Sequence, residues 1–272
     1  MRSFSATPRE LLASLWRNRS LIKTSIKREV LGRYRGSFFG ILWSFLNPLL
    51  MLVVYTFVFS VVFNARWGGG GDSKVEFALV LFAGLMMFNL FAECINRAPG
   101  LILANTNYVK KVIYPLEILP WVSLGSALFH GIVSLLVWFM AFIIFFGVPH
   151  LTALYLPLIL LPFCFFIMGL SWALASLSVF LRDVGQLVGV LTTMLMFLSP
   201  IFYPATALPE SYRALLYMNP LTPVIEQARE VLFWGNAPDF SLLGGYLLLT
   251  SIVAWLGFAL FQKTRKGFAD VL

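Results

Sequence analysis

The sequence predicts an all-α, polytopic membrane protein, and three observations support that fold class. Hydrophobic residues make up 60% of the 272-residue chain, charged residues only 12%, and the mean hydropathy is +0.86. Six apolar segments reach the roughly 20 residues that a helix needs to cross hydrocarbon. The Lys and Arg residues concentrate in alternate connections between these segments. Because a backbone in lipid must satisfy its own hydrogen bonds, each segment is predicted to be a helix.

The predicted spans differ in length and in the position of their prolines. In chain order they are Phe38–Phe63, Phe77–Asn96, Leu116–Gly147, Ala153–Phe180, Val184–Tyr203 and Leu242–Phe261. The third and fourth are longer than a membrane requires. We expect Pro120 to mark an interfacial elbow before the third span, and Pro157 and Pro162 to mark the outer end of the fourth.

The polar segment before the first span predicts an amphipathic helix. Thr7, Pro8 and Glu10 fit the N-cap, N1 and N3 positions of a capping box. Apolar residues follow at helical spacing, opposite Arg17 and Lys23. This pattern suits a helix in the cytoplasmic interface that follows the first span and touches a partner or a lipid headgroup. A plain basic anchor explains the same charges. We therefore divide the chain into a cytoplasmic N-terminus, 1–37, and one transmembrane domain, 38–272.

The distribution of basic residues predicts that both termini are cytoplasmic. Of the twenty Lys and Arg residues, only Arg66, Lys74, Arg213 and Arg229 lie on the opposite side of the predicted spans. The positive-inside rule then makes the richer side cytoplasmic, and six spans require both ends to share a side. Basic residues that follow the membrane predict contact with anionic membrane lipids and no nucleic-acid partner.

The sequence lacks the motifs of an enzyme or of a self-powered carrier. It contains no GxxxxGK[ST] loop for ATP, no GxSxG, and no His, Cys and carboxylate cluster with metal-ligand spacing. His130 alone lies deep in a span, on a stripe with Ser123, Ser126 and Ser134 that we interpret as helix–helix hydrogen bonding. We therefore predict no catalytic residue, metal or cofactor here, and a motor on another polypeptide.

Four ordered stretches of the chain resemble a known family. They are residues 28–37 with 40–43 and 47–48, residues 105–120, residues 180–184, and residues 198–204 with 208–210 and 219–221. These stretches resemble permeases of type-2 ABC exporters, and more narrowly those that export O-antigen, capsular polysaccharide and teichoic acid. The chain departs from the pattern at Leu116, where many relatives carry Arg before the Glu.

The resemblance implies a transporter made of two permease copies and two P-loop ATPase subunits, which bind ATP and Mg. It implies cargo carried on undecaprenyl pyrophosphate, such as the O-antigen of lipopolysaccharide, across the bacterial inner membrane. Teichoic acid, a drug or a small lipid is an alternative cargo. A membrane glycosyltransferase is a more distant alternative, which the scattered acidic residues of the outer loop disfavour.

The resemblance also points to candidate contacts on the cytoplasmic side. The loop 98–115 is expected to form a coupling helix that seats in the ATPase. Its candidate contact residues are Asn105, Asn107, Tyr108, Lys110 and Lys111. The two lysines could instead serve topology alone. Arg28, Arg33 and Arg35 could hold the lipid pyrophosphate, because guanidinium forks match phosphate oxygens, and positive-inside anchoring explains them equally well.

Candidate channel residues lie on the first and fifth spans. We predict that five aromatic side chains stack on sugar rings, although many such residues face lipid. They are Trp43, Tyr55, Phe59, Phe197 and Tyr203. Gly185 and Gly189 form a GxxxG that predicts either packing within one subunit or the seam of a dimeric channel. The loop 204–240 is expected to hold two partly re-entrant helices, Ser211–Met218 and Val224–Trp234, as an outer gate.

Overall fold

The computed structural model describes residues 5–58, 67, 74–110, 114–207 and 209–272. Regular structure in these ranges is entirely helical. Five of the described helices are long and apolar enough to cross a membrane, and a further apolar helix, Val184–Leu198, has 15 residues. The chain is an all-α, polytopic membrane protein, as its sequence predicts.

Thirteen α-helices occur in the described residues. In chain order they are α1 Pro8–Arg17, α2 Arg19–Arg33, α3 Trp43–Tyr55, α4 Lys74–Arg97, α5 Gly100–Leu103, α6 Thr106–Lys110, α7 Leu119–Phe146, α8 Leu156–Phe180, α9 Val184–Leu198, α10 Glu210–Met218, α11 Thr222–Arg229, α12 Phe240–Thr264 and α13 Phe268–Val271. Turns of 3₁₀-helix lead into α3, α7 and α8, and a π-helical turn, Glu230–Trp234, continues α11.

The predicted fifth span is shorter than expected. Helix α9 ends at Leu198, and Ser199 is extended, with φ −92° and ψ 151°. The cause is Pro200, because the residue before a proline is disfavoured in the helical region. At about 1.5 Å per residue α9 is roughly 22 Å long, which is less than the roughly 30 Å of a hydrocarbon core. The chain therefore leaves the helix before Tyr203, where the prediction ended it.

The N-terminal segment forms two helices instead of one. The Thr7 hydroxyl accepts a hydrogen bond from the Glu10 amide at 3.3 Å, so α1 begins with the predicted cap. Asn18 interrupts the helix, since its side-chain amide donates to the Ser14 carbonyl at 2.9 Å and competes with the backbone. Beyond this break, Ile22 of α2 packs with residues at the start of α7. The apolar face of α2 thus lies against the bundle.

Helix α4 lies at the centre of the bundle. Every residue from 77 to 88 is buried. The indole of Trp138 on α7 donates to the Leu79 carbonyl at 2.9 Å, and Phe91 stacks with Phe163 and Phe166 of α8. Because α4 packs against several neighbouring helices, it connects the loop between α4 and α7 to most of the bundle.

Helices α8 and α12 cross with their backbones in contact. A Cβ atom on Gly257 would lie 2.0 Å from the carbonyl oxygen of Gly169, and one on Gly169 would lie 2.5 Å from the carbonyl oxygen of Val253. Only glycine at both positions allows this approach, which is how small residues join membrane helices.

Candidate functional site

The loop between α4 and α7 folds into two short helices, and its candidate coupling residues face different ways. The Asn105 amide donates to the Leu101 carbonyl at 2.9 Å, closing the end of α5. Asn107 is exposed. The Tyr108 ring stacks on Tyr114 at 4.2 Å between centroids. Lys111 and the side chain of Lys110 lie outside the described residues. Of the set that is described, only Asn107 points fully into solvent.

The three arginines proposed to bind pyrophosphate have different surroundings. Arg28 donates to the Tyr108 hydroxyl at 3.3 Å, and this hydrogen bond raises the pKa of Arg28. Arg33 forms an ion pair with Glu93 of α4 at 2.5 Å. Arg35 is exposed. The structure therefore separates these arginines: one is bonded to the loop between α4 and α7, one to α4, and one faces solvent.

A second ion pair lies beside the first. Arg97, at the end of α4, pairs with Glu29 of α2 and lies 3.7 Å from Glu93. Cations and carboxylates thus alternate along the junction of α2 and α4. This arrangement binds α2 to the C-terminal end of α4, where the loop 98–115 begins.

Glu117 is a buried carboxylate that joins four parts of the chain. Its Oε2 accepts from Arg265 Nη1 at 2.5 Å, and its Oε1 accepts from the Ser14 hydroxyl at 3.3 Å. Its backbone carbonyl accepts from the Trp172 indole at 3.0 Å. Arg265 also donates to the carbonyl of Tyr114, at 3.2 Å. Four parts of the chain therefore meet at one point: α1, the end of the loop 98–115, α8 and the end of α12.

The local sequence gives no sign of the Glu117–Arg265 pair. Its partners are 148 residues apart, and the residue before the glutamate is Leu116. The partner comes instead from beyond the last span. The sequence offered one signal of a partner: Glu117 is an ionisable residue at the boundary of a predicted span, and such residues are seldom unpaired.

The loop between α9 and α12 contains two short helices, α10 and α11, close to the predicted positions. Asn219 joins them to α9, since its amide donates to the Ser199 hydroxyl at 2.8 Å. Its side-chain oxygen accepts from the Leu221 amide at 3.0 Å, forming an Asx turn. The Tyr246 hydroxyl of α12 donates to the Pro220 carbonyl at 2.9 Å. The helical pair is thus fastened to two spans at its turn.

Arg229, at the end of α11, is buried inside the protein. It is 3% exposed and donates to three carbonyl oxygens: Val80 at 3.0 Å, Pro200 at 2.5 Å and Ile201 at 2.8 Å. Its guanidinium carbon lies 4.3 Å from the centre of the Trp67 ring. Burial lowers the pKa of Arg229 to about 9. The distribution of basic residues predicts on which side of the membrane Arg229 lies. It does not predict that Arg229 joins α11 to α4 and to the end of α9.

The candidate channel aromatics that the structure describes lie in different surroundings. Trp43 is half-buried and meets Phe39 edge to face at 5.6 Å. Tyr55 lines a cleft between α3, α4 and α7. Phe197 is 61% exposed at the C-terminal end of α9, where its carbonyl accepts from the Tyr203 hydroxyl at 3.3 Å. Phe59 lies outside the described residues.

One side of α9 is not covered by the other described residues. Among the described residues, no atom lies within 4 Å of the place that a Cβ would take on Gly189, and the nearest atom to a Cβ on Gly185 is Pro99 Cβ at 3.8 Å. Neither glycine therefore serves a close helix contact within this part of the chain. Large apolar side chains are exposed along the same helix, namely Leu187, Val190, Leu191, Met194 and Leu198.

The polar stripe on α7 makes fewer hydrogen bonds than its sequence suggests. Nδ1 of His130 lies 3.3 Å from the Tyr34 hydroxyl, and Ser134 bonds to the His130 carbonyl of its own helix. The hydroxyls of Ser123 and Ser126 are buried and have no partner among the described residues. Among the described residues, the interpretation as hydrogen bonding between helices is thus supported for His130 but not for the serines of the stripe.

Comparison with known proteins gives matches along nearly the whole chain. The model of a family described as ABC-2 type transporter matches residues 20–233. The chain is 28% identical over 262 residues to the O-antigen export system permease protein RfbA of Myxococcus xanthus, covering 96% of this chain and 98% of that protein. It is 24% identical to the polysialic acid transport protein KpsM of Escherichia coli, covering 88% of this chain and 92% of that protein. It is 26% identical to the capsule polysaccharide export inner-membrane protein CtrC of Neisseria meningitidis serogroup B, with 93% and 94% covered.

Proposed function

Because the chain belongs to the ABC-2 type transporter family, we propose that it is the permease subunit of an ATP-driven exporter of polysaccharide. The cargo is an O-antigen or capsule-like polymer linked to undecaprenyl pyrophosphate, and the membrane is the bacterial inner membrane. The single observation that carries this proposal is similarity over nearly the full chain to relatives named for O-antigen and capsule export. ATP and Mg bind to a partner, since this sequence has no P-loop.

The proposed orientation has both termini in the cytoplasm. Helix α2 is bound to the end of α4 by Arg97 and Glu29, and the end of α12 is bound to the start of α7 by Arg265 and Glu117. The N-terminal segment, the coupling loop and the chain end thus share one end of the bundle. That end also carries most of the basic residues, as cytoplasmic segments do.

The proposed assembly has two copies of this chain and two ATPase subunits. The uncovered side of α9, with Gly185 and Gly189, supports a seam with a second copy. The loop 98–115 supports a seat on the ATPase, with Asn107 exposed. A push on this loop would move α4 and the α2 helix bound to it, because packed helices shift as rigid units. Arg28, Arg33 and Arg35 remain the proposed contacts of the lipid pyrophosphate.

Reconstitution tests the proposed function. We expect the chain to co-purify with a P-loop ATPase and to transfer undecaprenyl-pyrophosphate-linked polysaccharide into proteoliposomes when ATP is supplied. An ATPase whose Walker lysine is replaced serves as the control. Transfer by this chain without any ATPase would contradict the proposal. Lipid-linked teichoic acid, a lipophilic drug and a short-chain lipid, each supplied in place of the polysaccharide, test the alternative cargos.

A further inference from the structure

A polar cleft of about 510 Å³ opens between α3, α4 and α7, at the end of the bundle that carries the coupling loop. Its lining includes Asn47, Asn89 and Asn96 together with Tyr34, Tyr55 and His130. Small-molecule sites commonly have volumes of roughly 300–1,000 Å³. A second cavity between the same three helices, of about 470 Å³, is lined almost wholly by apolar side chains such as Leu49, Val53 and Met140. Two chemically different spaces therefore follow one another along the same helices.

Helix α4 presents a polar stripe to this cleft. Asn89, Glu93 and Asn96 recur at spacings of four and three and so lie on one face of the helix. The amides of Asn89 and Asn96 are exposed, although every residue from 77 to 88 of the same helix is buried. Among the described residues, neither amide takes part in a hydrogen bond with another side chain. Polar groups that remain unpaired in a membrane helix are costly and mark functional sites.

The wall opposite α4 carries the imidazole of His130. Nε2 of His130 is buried and has no hydrogen-bond partner among the described residues, while its Nδ1 lies near the Tyr34 hydroxyl. The Tyr55 ring lies on the α3 side of the cleft. An aromatic face next to amides and an imidazole can hold a molecule that is apolar on one face and rich in hydroxyls at its edge.

The charged groups around the cleft are paired with one another, which favours a neutral ligand. Arg33 is paired with Glu93 at 2.5 Å, and Arg97 is paired with Glu29. Two cations and two carboxylates therefore balance each other. A pyrophosphate in this cleft would have to compete with Glu93 for Arg33, whereas a neutral ligand leaves that ion pair intact. Amides, in contrast, donate and accept hydrogen bonds at once, as sugar hydroxyls do.

We propose that this cleft binds a neutral pyranose unit of the transported polysaccharide within a single permease subunit. The proposal rests on the proposed export function and adds to it a saccharide site distinct from the seam between two copies. Asn89 and Asn96 hydrogen-bond the ring hydroxyls, and Tyr55 supplies the apolar face. The apolar cavity beyond it suits a lipid chain instead of a sugar.

A binding measurement on the full chain in lipid nanodiscs tests the site. The probe is a radiolabelled neutral oligosaccharide, released by mild acid from the host's surface polysaccharide. We expect Asn89→Leu to weaken its binding about tenfold, which corresponds to the loss of one or two hydrogen bonds. We expect Asn89→Gln to restore part of the affinity. Thr56→Val, in the apolar cavity, is the matched control and should bind as the native protein does. Equal binding by Asn89→Leu and native protein would overturn the proposal.

A labelling experiment keeps the test independent of whether Asn89→Leu folds. In Asn89→Cys, the rate at which N-ethylmaleimide reacts with the introduced thiol should fall about tenfold when the oligosaccharide is bound. The native protein gives the background from Cys94 and Cys164. Protection by sodium pyrophosphate instead of the oligosaccharide would assign the cleft to the lipid headgroup and refute the saccharide site. Export that remains normal without protection of the thiol would refute this site alone, whereas loss of all ATP-driven export by the native chain would refute the proposed function.

Discussion

The guanidinium of Arg229 occupies the space that a side chain at position 84 would need. A Cβ atom on Gly84 would lie 2.6 Å from Nη2 of Arg229. Glycine costs about 1 kcal/mol relative to alanine in the interior of a helix, and here it lets the guanidinium reach the carbonyl of Val80, one turn away on α4. The arginine and the glycine therefore form one structural unit although they are far apart in the sequence.

Gly84→Ala should destabilise the protein. The methyl group would displace the guanidinium and leave buried carbonyls unpaired, at a cost of about 1–3 kcal/mol. Thermal unfolding of the detergent-purified protein, followed by intrinsic fluorescence, measures the change. Gly245→Ala is the control, because a Cβ there meets nothing within 4 Å among the described residues. An unchanged melting temperature in Gly84→Ala would show that Arg229 does not depend on the glycine.

Arg229→Lys should lower the melting temperature nearly as much as Arg229→Met. Three carbonyls accept from different nitrogens of the guanidinium, and an ammonium group is a compact charge that cannot reproduce that planar fork. Each buried carbonyl that loses its donor costs about 1–3 kcal/mol. The two variants are compared in the same unfolding assay. A lysine variant as stable as the native protein would mean that charge alone, and not the geometry of the clamp, is required.

Glu117→Gln and Arg265→Gln should each destabilise the protein strongly, and the double variant should cost less than the sum. Both side chains are nearly buried, at 8% and 12% exposed, so either single change leaves an uncompensated group at a cost of about 3–5 kcal/mol. A double-mutant cycle of unfolding free energies measures the coupling. Strictly additive effects would show that the two residues act separately.

The start of α12 should be sensitive to acid through Asp239. Its Oδ1 accepts from the amides of Leu242 and Ser241, and these hydrogen bonds lower the pKa of Asp239. A carboxylate whose pKa is lower in the folded state stabilises that state above its ordinary pKa of about 4, and the gain disappears as pH falls through the lowered value. Asp239→Asn keeps an N-cap and should remove this part of the acid dependence. Melting curves of both proteins from neutral to acid pH check the difference, and parallel curves would contradict it.

Arg33→Ala combined with Arg35→Ala should abolish polysaccharide export while assembly and ATPase coupling persist. The physical reason is loss of guanidinium forks for the lipid pyrophosphate. Glu93→Gln removes the ion-pair partner of Arg33 and keeps both arginines, so it separates the loss of the pair from the loss of the phosphate contact. Surface polysaccharide is measured on cells, and co-purified ATPase reports assembly. Normal export by the double variant would exclude a role for these arginines in cargo binding.

The fold class follows from the sequence because hydrocarbon imposes helices of a set length, and local signals such as the Thr7 cap place several helix ends. Two helix ends differ from the prediction for local reasons: Asn18 breaks the N-terminal helix, and Pro200 shortens α9. Both residues can be read from the sequence, but the apolar pattern continues past Pro200 and the amphipathic pattern continues past Asn18, so periodicity alone predicts longer helices. Signals of this kind are therefore open to better sequence reasoning.

The contacts that organise the candidate sites could not be predicted in the same way. Arg229 and Val80 are 149 residues apart, and Glu117 and Arg265 are 148 apart. Single-sequence periodicity gives the face of each helix but not which helices meet. The same limit hid the stripe formed by Asn89 and Asn96, because each residue alone is an ordinary polar position and only the packing of α3 and α7 turns them toward one cleft.

The crossing of α8 and α12 has a mechanical consequence. Gly169 and Gly257 bring two main chains together with no side chain between them, so there is no layer of rotamers through which one helix could slide past the other. We therefore expect α8 and α12 to move together as one rigid unit when the helices of the subunit rearrange.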